Sequence, residues 1–561
     1  MNDYTVFLEA TAFTQVSVNR WERRFDDPGT GEYIITVDTD RQTIDYPKPI
    51  TLGDRTTSNF DHPENFVVLE CVCRLLAKGY DPATLILEKR YQVGRGASGG
   101  KSDITVLRRA TGDDETKRQA LLIIECKTWG REHDLERQKT LEDGGQLFGY
   151  LQQDRSVRHL CIYSCQLKRE TAAIEYRCDI IHTEDTPEAL EKFAKKEKEE
   201  SHTSARQGVP LFQHADNRES LHRAWKTTYS GAFQSTGIFE DKFTPYAIGY
   251  EPITRDLLKE FNGQNGSTKV FNRFMEILRH NNVSDKENAF NRLCAIILAK
   301  LIDEEKAPDV ILDFQWFPDK DTSEDLIDRL QRLYKRGMKE TLGEDITYFE
   351  ERDIDDAFRA HRRDMAKNEV KRIFRALKFY TNSDFAFKEV HNQKLFEQNT
   401  QVVREVVELF QNYRLKYTSK QAFLGNLFEL LLNSGFKQSE GQFFTPIPIA
   451  RFIVRCLPLR ERINSAIQRG DYRIIPRVMD YACGSAHFLT EIIEELQEDL
   501  KACEREEGDN TTWTRDYVWG IEKDYRLART AKIAMFLHGA GDANILHEDG
   551  LDHANPTLPP L

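Results

Sequence analysis

Long apolar runs are missing from this 561-residue sequence, because no stretch approaches the roughly 18 residues that a membrane-spanning helix needs. The first residues, MNDYTVFLEATAFTQ, also lack the basic start and apolar stretch of a signal peptide. The ten cysteines are scattered, with no CxxC pair and no clustered histidines, which argues against a disulfide framework or a zinc site. We therefore expect a cytoplasmic protein with reduced thiols and no membrane partner.

An excess of positive charge is also missing. Lys and Arg number 79 against 92 for Asp and Glu, which gives a net charge of −13. Any nucleic-acid surface must therefore be a local patch. Hydrophobic residues at 39% and charged residues at 30% are typical of a soluble globular chain. At about 150 residues per domain, the length predicts three or four domains.

Hydrophobic periodicity predicts a multi-domain α/β protein. Short strands come first, an α/β unit and a long helical stretch follow, and strand–turn–helix–strand alternation returns near the end. The predicted divisions are a β-rich segment at 1–60, an α/β domain at 61–185, a charged linker at 186–214, an all-α connector at 215–435 and a parallel-sheet domain at 436–561. Within the α/β domain we predict helices at 63–78 and 141–153 and strands at 85–87, 104–107 and 121–124.

Two carboxylates and a lysine are the first candidates for chemistry. Asp103 opens one predicted strand, and Glu125 and Lys127 end another after four aliphatic residues. Because residues two apart in a strand project from the same face, Glu125 and Lys127 point the same way. Carboxylates can hold Mg²⁺ while an ammonium steadies an attacking water or hydroxide, and such a set suits phosphodiester hydrolysis.

This arrangement resembles the PD-(D/E)xK nuclease family. Glu70, on the predicted helix before the sheet, corresponds to the upstream acid of that family. Gln146 and Tyr150 fit the QxxxY helix of its helicase-associated and type I restriction branches, and Ser102 replaces the nominal Pro. The resemblance implies an Mg²⁺-dependent endonuclease with Asp103, Glu125 and Glu70 as metal ligands, Lys127 as a catalytic residue, and Gln146 and Tyr150 orienting DNA or the metal shell.

A glycine-rich stretch at 94–102 suggests an ATP-binding Walker A loop but fails its pattern. The leading glycine would have to be residue 95, which is Arg, and a strand follows where a helix is required. We therefore expect no ATP site there, and a turn near DNA phosphate is the alternative use of these glycines.

A second group of candidates follows a strand near the end of the chain. The run 480–489, DYACGSAHFL, places small residues at a strand-to-helix turn, where the backbone can approach a ligand closely. Further on, Glu522 ends the next predicted strand as an acid suited to ribose hydroxyls. This combination predicts a nucleotide-type binding site.

These residues resemble the N6-adenine DNA methyltransferases, specifically type I modification subunits and related fused restriction-modification enzymes. The stretches 441–446, GQFFTP, and 544–551, NILHEDGL, match two further motifs of that family, and Tyr481 and Ala486 depart from its Pro and Gly. The implied fold is Rossmann-like and the implied cofactor is S-adenosylmethionine. The implied cofactor-binding residues are Thr445, Pro446, Asp480, Ala482, Cys483, Gly484, Ser485, Phe488, Glu522 and Asp549.

The methyl-transfer tetrad of this family, (N/D/S)PP(Y/F), should follow the last of these motifs, but the stretch 555–561, NPTLPPL, does not match it. We therefore expect an incomplete methyltransferase domain and a chain that is the front part of a longer protein. A naturally short chain is the alternative.

The resemblances together imply a phage-defence restriction-modification enzyme that cleaves DNA and binds S-adenosylmethionine for N6-adenine methylation. Double-stranded DNA is the implied substrate, and a specificity or translocase subunit supplied in trans is left open. One alternative is a phage-defence methyltransferase whose nuclease fold only holds DNA. Another is a DNA-scanning subunit that uses S-adenosylmethionine as an effector.

A basic stretch in the helical connector is the remaining candidate for DNA contact. Eight cations fall within 359–378, and both a phosphate-contacting helix and an ordinary solvated helix paired with nearby acids fit the pattern. The eight are Arg359, Arg362, Arg363, Lys367, Lys371, Arg372, Arg375 and Lys378.

Overall fold

A computed structural model divides the chain into two compact units. The first comprises Met1–Pro252 and Phe317–Thr322, and the second comprises Ile253–Trp316 and Ser323–Leu561. The structure describes residues 3–27, 31–91, 100–109, 119–186, 189–190, 192–193, 210–260, 266–349, 353, 364–381, 384–415, 445, 447–471, 474–509, 511–538, 540–541 and 544–552.

The first unit begins with helix α1 (Asp3–Ala10) and a four-stranded antiparallel sheet of order β1-β2-β3-β4. Alternation of apolar and polar residues builds this sheet, because Ile35 and Val37 in β3 are fully buried while their neighbours are not. The strands are β1 (Thr14–Ser17), β2 (Arg20–Asp27), β3 (Gly31–Asp38) and β4 (Thr43–Asp45).

A six-stranded mixed sheet forms the centre of this unit, with order β10-β9-β8-β7-β6-β5. Strand β8 (Ala120–Cys126) is buried along its whole length, because helices α2 (Glu64–Lys78) and α4 (Gly145–Gln153) both pack against it. The strands are β5 (Thr51–Leu52), β6 (Leu85–Arg90), β7 (Lys101–Leu107), β8 (Ala120–Cys126), β9 (His159–Lys168) and β10 (Ala173–His182). The helices are α2 (Glu64–Lys78), α3 (Arg131–Asp143) and α4 (Gly145–Gln153).

Most predicted elements of this region are present, with one difference. The predicted helix at 141–153 is two helices, α3 and α4, because Gly144 and Gly145 adopt φ angles of 90° and 52° between them. Left-handed backbone cannot continue a helix, and glycine adopts it without a steric penalty. The break changes the direction of α4, which carries Gln146 and Tyr150.

The start of the helical connector also differs from the prediction. The sequence predicts that residues 215–252 belong to this connector, whereas they lie in the first unit. The cause is helix α5 (Arg218–Thr228), whose buried Trp225 packs in one apolar cluster with Phe148 of α4 and Leu221. Burial of such large apolar side chains holds this helix to the first unit, so that the domain boundary does not lie at the charged linker.

Between Ile253 and Leu415 the described residues of the second unit form helices joined by turns and irregular segments, and their β structure is limited to isolated β-bridges. Its helices share one core that contains Phe290, Leu330 and Phe396. They are α6 (Gly266–His280), α7 (Lys286–Asp303), α8 (Ser323–Gly337), a π-helical turn at Met338–Leu342, α9 (Asp364–Tyr380) and α10 (Gln393–Phe410).

A three-stranded parallel sheet, of order β11-β12-β13, completes the second unit in its described residues. The alternation of strand and helix along the sequence leads to this sheet, as expected. Its strands are β11 (Val478–Asp480), β12 (Val518–Glu522) and β13 (Asn544–His547). The accompanying helices are α11 (Ile447–Arg455), α12 (Leu459–Arg469), α13 (His487–Ala502), α14 (Thr514–Tyr517) and α15 (Tyr525–Leu537).

Several sequence predictions fall outside the described residues. They are the glycine-rich loop at 92–99, most of the charged linker, the GQFFTP motif apart from Thr445, and the tail at 553–561. Among the described helices, none is both long enough and apolar enough to traverse a lipid bilayer.

The predicted basic stretch is only partly described. Arg359, Arg362 and Arg363 lie outside the described residues, whereas α9 carries the remainder. Arg372 forms an exposed ion pair with Glu369. Lys378 is turned inward, because its side chain is 6% exposed and its ammonium lies 2.5 Å from the Asp328 carboxylate. Lys378 is therefore a structural cation of the helical core.

Candidate functional site

The three residues of the first predicted constellation come together in the central sheet. β7 and β8 are antiparallel with Ile104 paired to Ile124, and the next position along this register sets Asp103 across from Glu125. Lys127 directly follows β8, and its ammonium lies 2.7 Å from the Glu125 carboxylate. Both carboxylates and the ammonium therefore lie at one place, as the sequence predicts.

Hydrogen bonds fix these side chains to the surrounding backbone. The N–H of Cys126 donates to the Asp103 carboxylate at 2.7 Å. The Tyr150 hydroxyl lies 2.8 Å from the Lys101 carbonyl and 3.2 Å from the Glu125 carboxylate. The predicted QxxxY tyrosine thus reaches the acid from α4.

A cleft of about 630 Å³ opens beside this group. Lys127, Tyr150 and the exposed side chain of Gln146 line it. Glu136 of α3, which is 3% exposed, also lines the cleft and accepts a hydrogen bond from the Gln146 N–H at 3.1 Å. No sequence pattern pointed to Glu136, because α3 has no apolar stripe that would orient it.

The electrostatics of the site resist two ionised carboxylates. Burial raises the pKa of Glu125, and the neighbouring Asp103 carboxylate raises it further. Burial likewise raises the pKa of Asp103. Burial lowers the pKa of Lys127, but the Glu125 and Asp103 carboxylates outweigh this effect, so that its net pKa is raised. Lys127 therefore stays charged. Its single positive charge does not fully offset the burial of the two carboxyl groups beside it.

The upstream acid requires a correction. Glu70 does not join the group, because its carboxylate is bound by the Arg74 guanidinium and the Tyr163 hydroxyl. Glu64, six residues earlier on α2, lies 3.8 Å from Lys127 and lines the cleft. Six residues turn a helix by about 600°, so Glu64 and Glu70 face directions about 120° apart. Of the two acids on α2, the structure therefore brings Glu64 and not Glu70 to the cleft.

The donor set fits one divalent cation of the Mg²⁺ type. Within the described residues no three His, Cys, Asp or Glu side chains converge as a metal cage. Mg²⁺ is commonly bound by one or two carboxylates and keeps water or phosphate oxygens as its other ligands. Burial raises the pKa values of Asp103 and Glu125, and a cation bound beside them would favour their ionised forms.

The second predicted site is built on the parallel sheet of the other unit. Between β11 and α13 the chain makes a tight turn in which Gly484 and Ala486 have φ angles of 53° and 68°. Ala486 replaces the family's glycine and still adopts the left-handed conformation, where it is fully buried. The departure noted in the sequence therefore leaves the turn intact.

Glu522 connects this turn to the end of β12. Its carboxylate accepts hydrogen bonds from the N–H of Gly484 at 2.9 Å and from the N–H of Asp524 at 2.8 Å. Asp480, at the end of β11, has its pKa raised by burial and by the charge of Glu522. The predicted acids of the two neighbouring strands thus lie at one edge of the sheet.

The turn carries an orphaned buried donor that fits a polar ligand. The hydroxyl of Ser485, a residue 3% exposed, has no hydrogen-bond partner among the described residues. Burial raises the pKa of the Cys483 thiol, which keeps it protonated and favours packing over nucleophilic chemistry. A ligand with hydroxyl and amino groups, such as S-adenosylmethionine, matches Ser485 and Glu522.

The remaining cofactor candidates are placed around this turn. The backbone carbonyl oxygen of Thr445 lies 3.1 Å from Nδ1 of the His487 ring. Asp549, after β13, pairs with the Lys523 ammonium at 2.8 Å. Ala482 donates its N–H to Asp480, and Phe488 is half-buried on α13. Pro446 lies outside the described residues.

Gly520, in the middle of β12, was not predicted as part of the site. A Cβ there would lie 3.0 Å from the Cys483 sulfur and 2.7 Å from Ile545. A side chain at this position would therefore push the turn away from the sheet. Only the packing of the turn on the strand reveals this requirement.

Comparison with known proteins identifies part of the second unit. Residues 419–558 match the N-6 DNA Methylase family. We call this stretch the N6-methylase segment; it contains the parallel sheet, the turn and Glu522. The family implies S-adenosylmethionine as the cofactor of the N6-methylase segment. No curated protein matches the chain.

Solved restriction-modification proteins resemble the chain at low identity. A modification subunit of a type I restriction enzyme from Vibrio vulnificus is 16% identical with a TM-score of 0.27, covering 52% of this chain and 57% of that one. A type I methyltransferase subunit from Streptococcus thermophilus has the same identity and TM-score and is covered to 61%. The type IIG restriction endonuclease BpuSI is 11% identical with a TM-score of 0.20, covering 85% of this chain and 40% of that one. The chain thus spans about 60% of the length of the two type I subunits.

Proposed function

We propose that the protein is a restriction-modification enzyme that hydrolyses phosphodiester bonds of double-stranded DNA and binds S-adenosylmethionine for N6-adenine methylation. The observation that carries the nuclease half is the convergence of Asp103, Glu125 and Lys127 beside a polar cleft. The match of the N6-methylase segment, with Glu522 on the glycine turn, supports the methylation half.

In the proposed cleavage, Asp103 and Glu125 would hold Mg²⁺, which supplies Lewis-acid polarisation of the phosphate and a more acidic water when bound. Lys127 stays charged at neutral pH and can stabilise negative charge that develops on the phosphate oxygens. Tyr150 orients the Glu125 carboxylate from one side while Lys127 holds it from the other. Glu64 lies at the mouth of the cleft, beside Lys127.

In the proposed methylation half, the turn at 480–486 and Glu522 bind the cofactor. Glu522 faces the turn through the Gly484 N–H, so that its oxygens lie where ribose hydroxyls would be held. The carboxylate accepts hydrogen bonds only, which matches hydroxyl donors. Target recognition and the transfer of the methyl group are assigned to no described residue.

The test uses the purified full chain with supercoiled plasmid. We expect nicked or linear DNA with Mg²⁺, no product with EDTA, and binding of S-adenosylmethionine in calorimetry. Cofactor binding without cleavage under any Mg²⁺ concentration would favour the competing proposal, a nuclease fold that only holds DNA. One observation favours that competitor: the described residues contain no group of three or more His, Cys, Asp or Glu side chains that could hold a metal ion.

A further inference from the structure

Glu88 is an unusual residue for the interior of a strand. It lies within β6, is 1% exposed, and has a φ angle of 59° in the left-handed region. One carboxylate oxygen, Oε2, is buried without a hydrogen-bond partner among the described residues. Left-handed backbone, burial of an acid and an unsatisfied oxygen each oppose folding. Such a combination at one residue suggests a functional cause.

Its position in the sheet relates it to the candidate nuclease site. The β6–β7 register pairs Leu87 with Ile104 and Lys89 with Ser102, so that Glu88 lies across from Asp103. Asp103 in turn lies across from Glu125 on the other side. Glu88 is therefore the third acid of a row that crosses β6, β7 and β8.

The carboxylate of Glu88 is held by the segment 53–57 and does not join the other two acids. Its Oε1 atom accepts hydrogen bonds from the Thr57 N–H at 2.7 Å and from the Thr56 hydroxyl. Gly53 packs directly on the Glu88 backbone, because a Cβ at position 53 would lie 2.4 Å from the Glu88 carbonyl oxygen. The segment and the strand thus fit each other closely only with glycine at 53.

Lys101 connects this segment to the site. Its ammonium lies 2.6 Å from the Thr56 hydroxyl and 3.5 Å from the Glu88 carboxylate. Its carbonyl oxygen accepts the Tyr150 hydroxyl at 2.8 Å, and the same hydroxyl lies 3.2 Å from Glu125. The side chain of Lys101 is thus fixed by Glu88 while its main chain fixes Tyr150.

We propose that Glu88 is a positioning residue for the nuclease site, which holds Lys101 and, through it, keeps Tyr150 on the Glu125 carboxylate. This inference rests on the proposed function of that site. Glu88 itself contacts neither DNA nor metal. Its loss releases the Lys101 side chain from the segment 53–57, which loosens the contact of Tyr150 with the Glu125 carboxylate that would bind metal.

The experiment measures Mn²⁺ binding by calorimetry and plasmid cleavage on the full chain. In Glu88→Ala we expect Mn²⁺ affinity and kcat to fall by about 10- to 100-fold, the range typical for residues that orient a metal ligand. The KM for DNA should stay within about twofold, because no DNA contact is removed. Glu32→Gln, which removes an exposed ion pair with Arg24 in the amino-terminal sheet, is the matched control.

Lys101→Met should reproduce the losses of Glu88→Ala, and the double variant should add little, because both act on one path. Should Glu88→Ala not fold, Glu88→Gln and Thr56→Val carry the test, since each weakens the hold on Lys101 with a smaller change of shape. A folded variant with a lower Tm but unchanged Mn²⁺ affinity and kcat overturns the proposal. A wild-type chain that neither binds Mn²⁺ nor cuts DNA overturns the proposed nuclease function itself.

Discussion

The N–H of Cys126 lies 2.7 Å from the carboxylate of Asp103. Cys126 stands between Glu125 and Lys127, so this bond joins the acid of β7 to the chain that carries the other two functional groups. A movement of Asp103 would therefore also displace Glu125 and Lys127.

The first prediction concerns cleavage. Asp103→Asn or Lys127→Met should reduce plasmid cleavage in Mg²⁺ by about 100-fold or more, because each removes a charge that faces the phosphate or the metal. Binding of S-adenosylmethionine should be unchanged, since the cofactor residues lie in the other unit. Gel analysis of supercoiled plasmid measures the first effect and calorimetry the second. Full-rate cutting by either variant would show that this is not the active site.

The second prediction separates Glu64 from Glu70. Glu64→Gln should lower cleavage with little change in stability, because its carboxylate lies at the cleft, 3.8 Å from Lys127. Glu70→Ala should destabilise the first unit by about 3 kcal/mol, because it leaves the Arg74 guanidinium partly buried without its acid. Cleavage by the folded fraction of Glu70→Ala should persist. Denaturant titration together with kinetics on both variants measures this, and the opposite pattern would restore Glu70 as the upstream acid.

The third prediction is a pH dependence of stability without metal. Burial raises the pKa values of Asp103 and Glu125 in the folded state, and the charge of Asp103 raises that of Glu125 further. A carboxyl group with a raised folded pKa favours folding below its unfolded pKa of about 4, and this contribution is lost as pH rises through the folded value.

Asp103→Asn should therefore gain stability relative to the wild type as pH rises from 4 to 8 in EDTA, by about 1.4 kcal/mol for each unit by which the folded-state pKa is raised. Thermal unfolding at several pH values measures the difference. Saturating Mg²⁺ should reverse it, because a ligand at 100 times its Kd stabilises the wild type by about 2.7 kcal/mol. A difference independent of pH would contradict the charge deficit assigned to this pair.

The fourth prediction concerns the cofactor. Glu522→Ala should weaken S-adenosylmethionine binding by about 10- to 150-fold, the equivalent of a charge-assisted hydrogen bond of about 1.5–3 kcal/mol. The exposed Glu461 on α12 provides a control variant, Glu461→Ala, that should bind normally. Calorimetry measures the affinity of both variants for S-adenosylmethionine. Equal affinity of the two variants would remove Glu522 from the binding site.

The fifth prediction concerns the basic stretch. Neutralising Arg359, Arg362 and Arg363 together should lower the slope of log K against log salt for duplex DNA by about 2.7, if they contact phosphates. Lys378→Met should leave that slope unchanged and reduce stability, because this ammonium is buried beside Asp328. Fluorescence titration at several salt concentrations measures the slope. An unaltered slope in the triple variant would show that these three arginines do not contact phosphates.

The strands and helices that carry the candidate residues could be predicted from the amino-acid sequence. Strands at β7 and β8 follow from short aliphatic runs, and the order of turn, helix and acid around Gly484 and Glu522 follows from local spacing. Such features depend on neighbouring residues alone, because side-chain periodicity and glycine backbone freedom act over a few positions. The convergence of Asp103 with Glu125 was expected from the family resemblance, and it depends on the register of β7 against β8 rather than on local spacing.

Which more distant residues join them depends on tertiary packing. The choice of Glu64 over Glu70 depends on how α2 rotates against the sheet, and the role of Glu88 depends on its contact with the segment at 53–57. Trp225 moved a domain boundary because its apolar surface packs on Phe148, far away in sequence. These outcomes depend on packing and strand register between separated segments, which no local pattern specifies.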